Sequence, residues 1–190
     1  MRKIPSIYDS PIDNIILVFV EQTEIIFRYL NMTPNMLTLI STISYIIATY
    51  LWYYSYNMYF LIFYLTGYYF DCLDGYYARK YNMVTEFGDY FDHYKDILVI
   101  LVYISYTLKK LSSMGIVYLL PYVTMVILNL IHVSATEKYL ALTNNNSSSL
   151  SFLQLSSLNE KNAIEETLKN YRFFGCGTSV FVTGIIIVLL

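Results

Sequence analysis

The sequence predicts an all-α protein: a polytopic membrane helical bundle of five spans, or six, behind an amino-terminal interfacial amphipathic helix. Three observations predict it. Hydrophobic residues make up 56% of the 190 residues and charged residues only 14%, against about 25% charged in soluble domains. The mean hydropathy is +0.46. The apolar residues also fall in long blocks rather than evenly, and a helix needs about 20 such residues to cross a hydrocarbon core roughly 30 Å thick.

Residues 11–30 read as the amphipathic helix. Ser10 can cap it, Pro11 fits its first turn, and Asp13 stands three residues after the cap. Its charges, Asp13, Glu21, Glu24 and Arg28, are too many for a membrane span, which places it in the interface; a surface helix on a soluble domain is the alternative. Thr33-Pro34-Asn35 then breaks the chain, so residues 1–35 form the interfacial unit with its connecting turn and 36–190 the transmembrane domain. Spans are expected at 36–55, 58–72, 94–108, 113–134 and 173–190, with Pro121 as a kink that neighbouring helices accommodate. The only long polar stretch is 135–171. Within it Asn144 to Ser149 is low in complexity, and 158–171 reads as a short helix. No internal repeat is present. The polar start is followed by no short apolar core, so no cleavable signal peptide is expected.

The net charge of −2 gives no support for a nucleic-acid partner. Cys72 and Cys176 are too few for a disulfide framework and lack metal-ligand spacing; both read as small residues in helix packing. The 22 tyrosines are expected in part in interfacial aromatic belts.

With five spans, the amino-terminal side holds Arg2, Lys3, Arg28, Arg79, Lys80, Lys95, Lys138, Lys161, Lys169 and Arg172, and the opposite side only Lys109 and Lys110. This bias predicts that the amino terminus and the segment 71–96 face the cytoplasm.

That segment holds the informative charges. Asp71 and Asp74 are three apart at the end of one helix, and Asp92 and Asp96 four apart at the start of the next, so each pair projects from one face. A turn running from Gly75 to Gly88 would bring the pairs together at the membrane surface. Four clustered carboxylates repel one another, and Mg²⁺ or Mn²⁺ is the natural counterion for oxygen ligands beside phosphate. Ionisable residues at membrane depth are functional candidates by default. Gly75 and Ala78 remove bulk beside the carboxylates, and Arg79 offers a planar fork suited to phosphate. Gly88 permits a bend or a close approach. Arg79 and Lys80 also read as ordinary flanking charge, the two glycines as turn residues, and the four aspartates as solvated caps.

Asp71, Asp74, Gly75, Ala78, Arg79, Gly88, Asp92 and Asp96 together meet the pattern D-x2-D-G-x2-A-R-x8-G-x3-D-x3-D at all eight fixed positions. This resembles the class I CDP-alcohol phosphatidyltransferase family. Thr33-Pro34-Asn35-Met36-Leu37-Thr38 is similar to the Pro-Asn-x-x-Thr segment that opens the family's first span. The resemblance implies phospholipid biosynthesis: transfer of a phospho-alcohol or phosphatidyl group from a CDP-linked donor to a lipid or polyol alcohol, releasing CMP. It implies Asp71, Asp74 and Asp92 as ligands of Mg²⁺ or Mn²⁺, two ions in all, and Asp96 as catalytic base and second-metal ligand. Gly75, Ala78, Arg79 and Gly88, with Asn35 and Thr38 as weaker candidates, would contact the cytidine diphosphate. A multi-pass homodimer among membrane lipids is expected. The family usually has six spans against the five counted here.

The acceptor is left open. Asp92-His93 resembles the choline and ethanolamine branch, whereas Asn82-x-x-Thr85-x-Phe87-Gly88 resembles the inositol and glycerol-phosphate branch. His93 reads equally as a helix-start residue. Three rival readings stand beside the transferase. A membrane prenyltransferase would carry two aspartate-rich motifs, and one is present; a cation channel would want carboxylates midway through its spans. An inactive family member acting as a partner subunit is the third.

Overall fold

The computed structural model describes residues 2–143 and 160–189. Within them the chain forms α1 (Pro11–Tyr29), α2 (Pro34–Tyr53), α3 (Asn57–Lys80), α4 (Glu86–Met114), α5 (Ile116–Leu142), α6 (Lys161–Tyr171) and α7 (Cys176–Leu189), with a 3₁₀ turn over Arg172–Phe174 before α7. No strand occurs among the described residues.

Local chemistry sets these boundaries. Ser10 accepts a 3.1 Å bond from the Asp13 amide, with Pro11 at the first position of α1. Thr33 and Thr85 cap α2 and α4 in the same way. Gly115, at φ 109°, separates α4 from α5, a left-handed conformation that glycine adopts without strain. Pro121 lies only five residues into α5, within its second turn. The helix continues through residues 135–142, which the sequence reading placed in the polar stretch. The low-complexity run 144–149 lies outside the described residues.

Four stretches are long and apolar enough to cross a membrane: Pro34–Tyr53, Glu86–Met114, Leu119–Leu142 and Lys161–Leu189. The protein is an integral membrane protein with an all-helical fold. The last stretch is interrupted by the 3₁₀ turn and Gly175, so the expected span at 173–190 falls mainly on α7. The expected span at 58–72 lies inside α3, whose 24 residues reach about 36 Å at 1.5 Å per residue. Its last three turns carry Asp71, Asp74, Arg79 and Lys80, which lowers its hydropathy without shortening it.

α2 packs along α3, and α7 packs against α3 and α1. Between them lies an aromatic core of Tyr45, Phe60, Tyr64 and Tyr103. Tyr64 and Tyr103 meet edge to face at 4.9 Å. The Tyr103 hydroxyl donates to the Tyr45 carbonyl at 3.2 Å and lies 2.8 Å from the Thr49 hydroxyl. Many tyrosines therefore serve as interior residues whose one polar atom finds a partner, beyond the interfacial role expected of them.

α1 turns Asp13, Leu17, Val20 and Glu24 inward and leaves Ile15, Phe19, Ile25 and Ile26 exposed, an amphipathic division at helical spacing. Lys80 reaches Glu24, and the Tyr81 hydroxyl donates to the same carboxylate at 2.6 Å. This ties α1 to the end of α3. The segment before α1 folds back, so that Ile4 and Tyr8 pack with Ala135, Leu140, Ile164 and Leu168 from α5 and α6.

Candidate active site

α3 continues to Lys80, so Gly75 is helical and not part of a turn. The reversal is shorter than the sequence suggested, spanning residues 81–85. Met83 donates its amide to the Ala78 carbonyl at 2.8 Å, Asn82 sits at φ 54°, and Thr85 begins α4. Asparagine tolerates this left-handed conformation, which lets five residues reverse the chain. The carboxylates consequently lie inside their helices, six to nine residues before the end of α3 and six to ten after the start of α4.

Positions 71, 74, 75 and 78 share one face of α3, and 88, 92, 95 and 96 one face of α4. The first turns of α2 close the site from a third side. All ten residues singled out in the sequence line a single cavity of about 340 Å³: Asn35, Thr38, Asp71, Asp74, Gly75, Ala78, Arg79, Gly88, Asp92 and Asp96. This volume lies at the lower end of small-ligand sites.

Two glycines allow close approaches in this cavity. A Cβ on Gly75 would lie 3.1 Å from an Arg79 guanidinium nitrogen, so the guanidinium lies over the space glycine leaves. A Cβ on Gly88 would stand 2.9 Å from Asn35 Oδ1 and 3.0 Å from Thr85 Oγ1. The missing side chain thus admits Asn35 against the start of α4.

Ligand oxygens of Asp71, Asp74 and Asp92 lie within 4.8 Å of one another. Asp96 stands outside this group. Asp74 is buried, and side-chain exposure rises from 17% at Asp71 through 26% at Asp92 to 35% at Asp96. Asp74 Oδ2 is buried without a hydrogen-bond partner, an expensive state unless another group engages it. A hard divalent cation suits this set, because it takes several oxygen donors and supplies the charge they lack.

Sequence reading missed the residue at the centre. Lys95, counted only in the charge bias between the two sides, is buried and ion-pairs Asp71. Its Nζ also lies 2.8 Å from Asp92 Oδ1, 3.2 Å from Asp96 Oδ1 and 3.5 Å from Ser41 Oγ. Its position three residues after Asp92 and one before Asp96 was the available signal. Lys3, Asp9 and Asp13 of the amino-terminal segment also line the cavity. The Asp13 carboxylate accepts from the Tyr68 hydroxyl at 2.5 Å and the Gly177 amide at 3.0 Å. His93 also faces the cavity, with Nδ1 3.4 Å from Asp89 Oδ1.

Comparison with curated proteins gives no match, and comparison with solved structures gives none. A family model, CDP-alcohol phosphatidyltransferase, matches residues 31–158. The match includes Asn35, Thr38 and the whole acidic segment from Asp71 to Asp96, and it covers more than half of the chain. The match contains the walls that α2, α3 and α4 give the cavity, and the chain belongs to the CDP-alcohol phosphatidyltransferase family.

Proposed function

We propose that the protein transfers a phospho-alcohol or phosphatidyl group from a CDP-linked donor to the hydroxyl of a lipid or polyol alcohol, releasing CMP. Membership of the family gives the general class, a transferase of phospholipid biosynthesis acting on a CDP-alcohol. The observation that carries the finer reading is the convergence of three carboxylates and Arg79 on one cavity.

In this reading Asp71, Asp74 and Asp92 hold Mg²⁺ or Mn²⁺. When bound, the ion neutralises the diphosphate and stabilises the charge developing on the CMP leaving group. Arg79 pairs with a phosphate through its planar fork. Gly75 and Ala78 leave room for the nucleotide beside it, while Gly88 holds Asn35 at the cavity wall with Thr38 one turn further along α2. Asp96, the most exposed of the four carboxylates, meets the incoming alcohol. It accepts the hydroxyl proton as the alcohol oxygen bonds to the phosphorus bearing the transferred group, and the bond from that phosphorus to the CMP oxygen breaks. Proton transfer of this kind requires an approach of about 2.6–3.2 Å.

The exposed apolar side of α1 supports an interfacial position for residues 1–35. Ten basic residues against two support a cytoplasmic amino terminus and active site. Pairing as a homodimer is expected from the family.

The test is CMP release by membranes containing the protein, supplied with labelled CDP-choline, CDP-ethanolamine or CDP-diacylglycerol and a panel of alcohols. Mg²⁺- or Mn²⁺-dependent release with one donor and acceptor pair is the expected result. No release with any pair would overturn the transferase reading in favour of an inactive partner subunit.

A further inference from the structure

The ammonium of Lys95 occupies a defined place among the carboxylates. Its side chain is 3% exposed, and it reaches Asp71 on α3 together with Asp92 and Asp96 on α4, at 2.8 and 3.2 Å for the latter two. An ammonium has three donor hydrogens and no acceptor; here they go to Asp71, Asp92 and the Ser41 hydroxyl, with Asp96 within ion-pair distance. The point between Asp71, Asp92 and Asp96 is therefore already held by a positive charge. Asp74 differs, because none of its oxygens is paired with Lys95 and its Oδ2 is buried without a partner. Unused ligand capacity is concentrated on the Asp74 side of the cluster.

We propose that Lys95 is a built-in replacement for a second metal ion. The site takes one divalent cation, on Asp71, Asp74 and Asp92, and the Lys95 ammonium fills the position between Asp71, Asp92 and Asp96. This rests on the metal-binding reading of the acidic triad given above, and it departs from the two ions expected from the sequence. Lys95 is then a positioning residue: it holds Oδ1 of Asp96 and leaves the other oxygen to face an alcohol.

The test counts Mn²⁺ on the purified full-length chain in detergent, by isothermal titration and by electron paramagnetic resonance, with and without CDP. The wild type is expected to bind one Mn²⁺ per chain with the six-line signal of an isolated ion. Lys95→Ala, and Lys95→Met, which retains the apolar stem, are expected to bind two with the spectrum of a coupled pair. Two coupled ions on the wild type would show that metal displaces Lys95 and would overturn the inference while leaving the transferase reading intact. One ion on both variants would also overturn it. No Mn²⁺ on the wild type would overturn the metal reading of the triad itself.

Discussion

Lys95 Nζ lies 2.8 Å from Oδ1 of Asp92, one turn earlier on α4, and the same ammonium pairs with Asp71 on α3. This charge bridge joins α3 to α4 at the cavity, while deeper in the bundle the two helices meet through Phe60, Tyr64 and Tyr103. Breaking a buried ion pair by removing one partner costs about 3–5 kcal/mol. Lys95→Met should lower the apparent thermal midpoint in detergent strongly in EDTA. Mg²⁺ should restore much of the loss, because it supplies the missing positive charge. An equal loss with and without Mg²⁺ would show that Lys95 acts through packing alone.

Asp74 leads to the opposite stability result. Its Oδ2 has no partner, so the buried charge is a liability in the metal-free protein. Asp74→Asn should weaken Mn²⁺ binding by about 10–100-fold or more, as loss of a metal-site residue does. It should leave the metal-free thermal midpoint unchanged or raise it. A lowered midpoint in EDTA would mean that Asp74 makes a structural contact of its own.

Gly88 and Asn35 form a coupled pair. In Gly88→Ala the new Cβ would stand 2.9 Å from Asn35 Oδ1, closer than such atoms approach, so Asn35 must move. A displacement of this size can lower turnover by roughly 10-fold or more. In a double-mutant cycle the losses of Gly88→Ala and Asn35→Ala should be less than additive, since both act on Asn35, with the remainder arising from the Thr85 hydroxyl 3.0 Å from the new Cβ. Fully additive losses would separate the two residues.

The acidic segment was legible because its chemistry is local: carboxylates at helical spacing, small residues between them and an arginine one turn on. Lys95 was not, since a lysine beside aspartates reads as flanking charge until the fold buries it. Gly75 read as a turn residue because glycine beside aspartate is common in turns; packing against α2 and α1 carries α3 on to Lys80 instead. The partners of Asp13, Tyr68 and Gly177, lie 55 and 164 residues away, and no local pattern announces such a bond. The spans followed from hydropathy, α3 included at 58–72; its end at Lys80 did not, because the site residues dilute the signal over its last turns.

Asp9, before α1 and beside the cavity, gives a pH test away from the helices that cross the membrane. Burial pushes its carboxyl up to about 7 from 3.8; the neighbouring Asp13 adds to this, and Arg2 and Arg172 oppose it. The folded state thus keeps a proton that the unfolded chain has already released. The resulting stability is fully present below 3.8 and is lost as pH rises through 7. Asp9→Asn should match the wild type in thermal midpoint near pH 4 and exceed it by roughly a few degrees at pH 8. A constant difference across this range would exclude the proton as the cause.

The most direct measurement is Mg²⁺-dependent CMP release by the purified protein, compared with Asp96→Asn at equal metal and donor occupancy. Asp96 is the most open of the four carboxylates, and loss of a general base lowers turnover by about 10²–10⁴-fold. Release falling by that factor while Mn²⁺ binding persists is the expected result. Release by Asp96→Asn at the wild-type rate would contradict it.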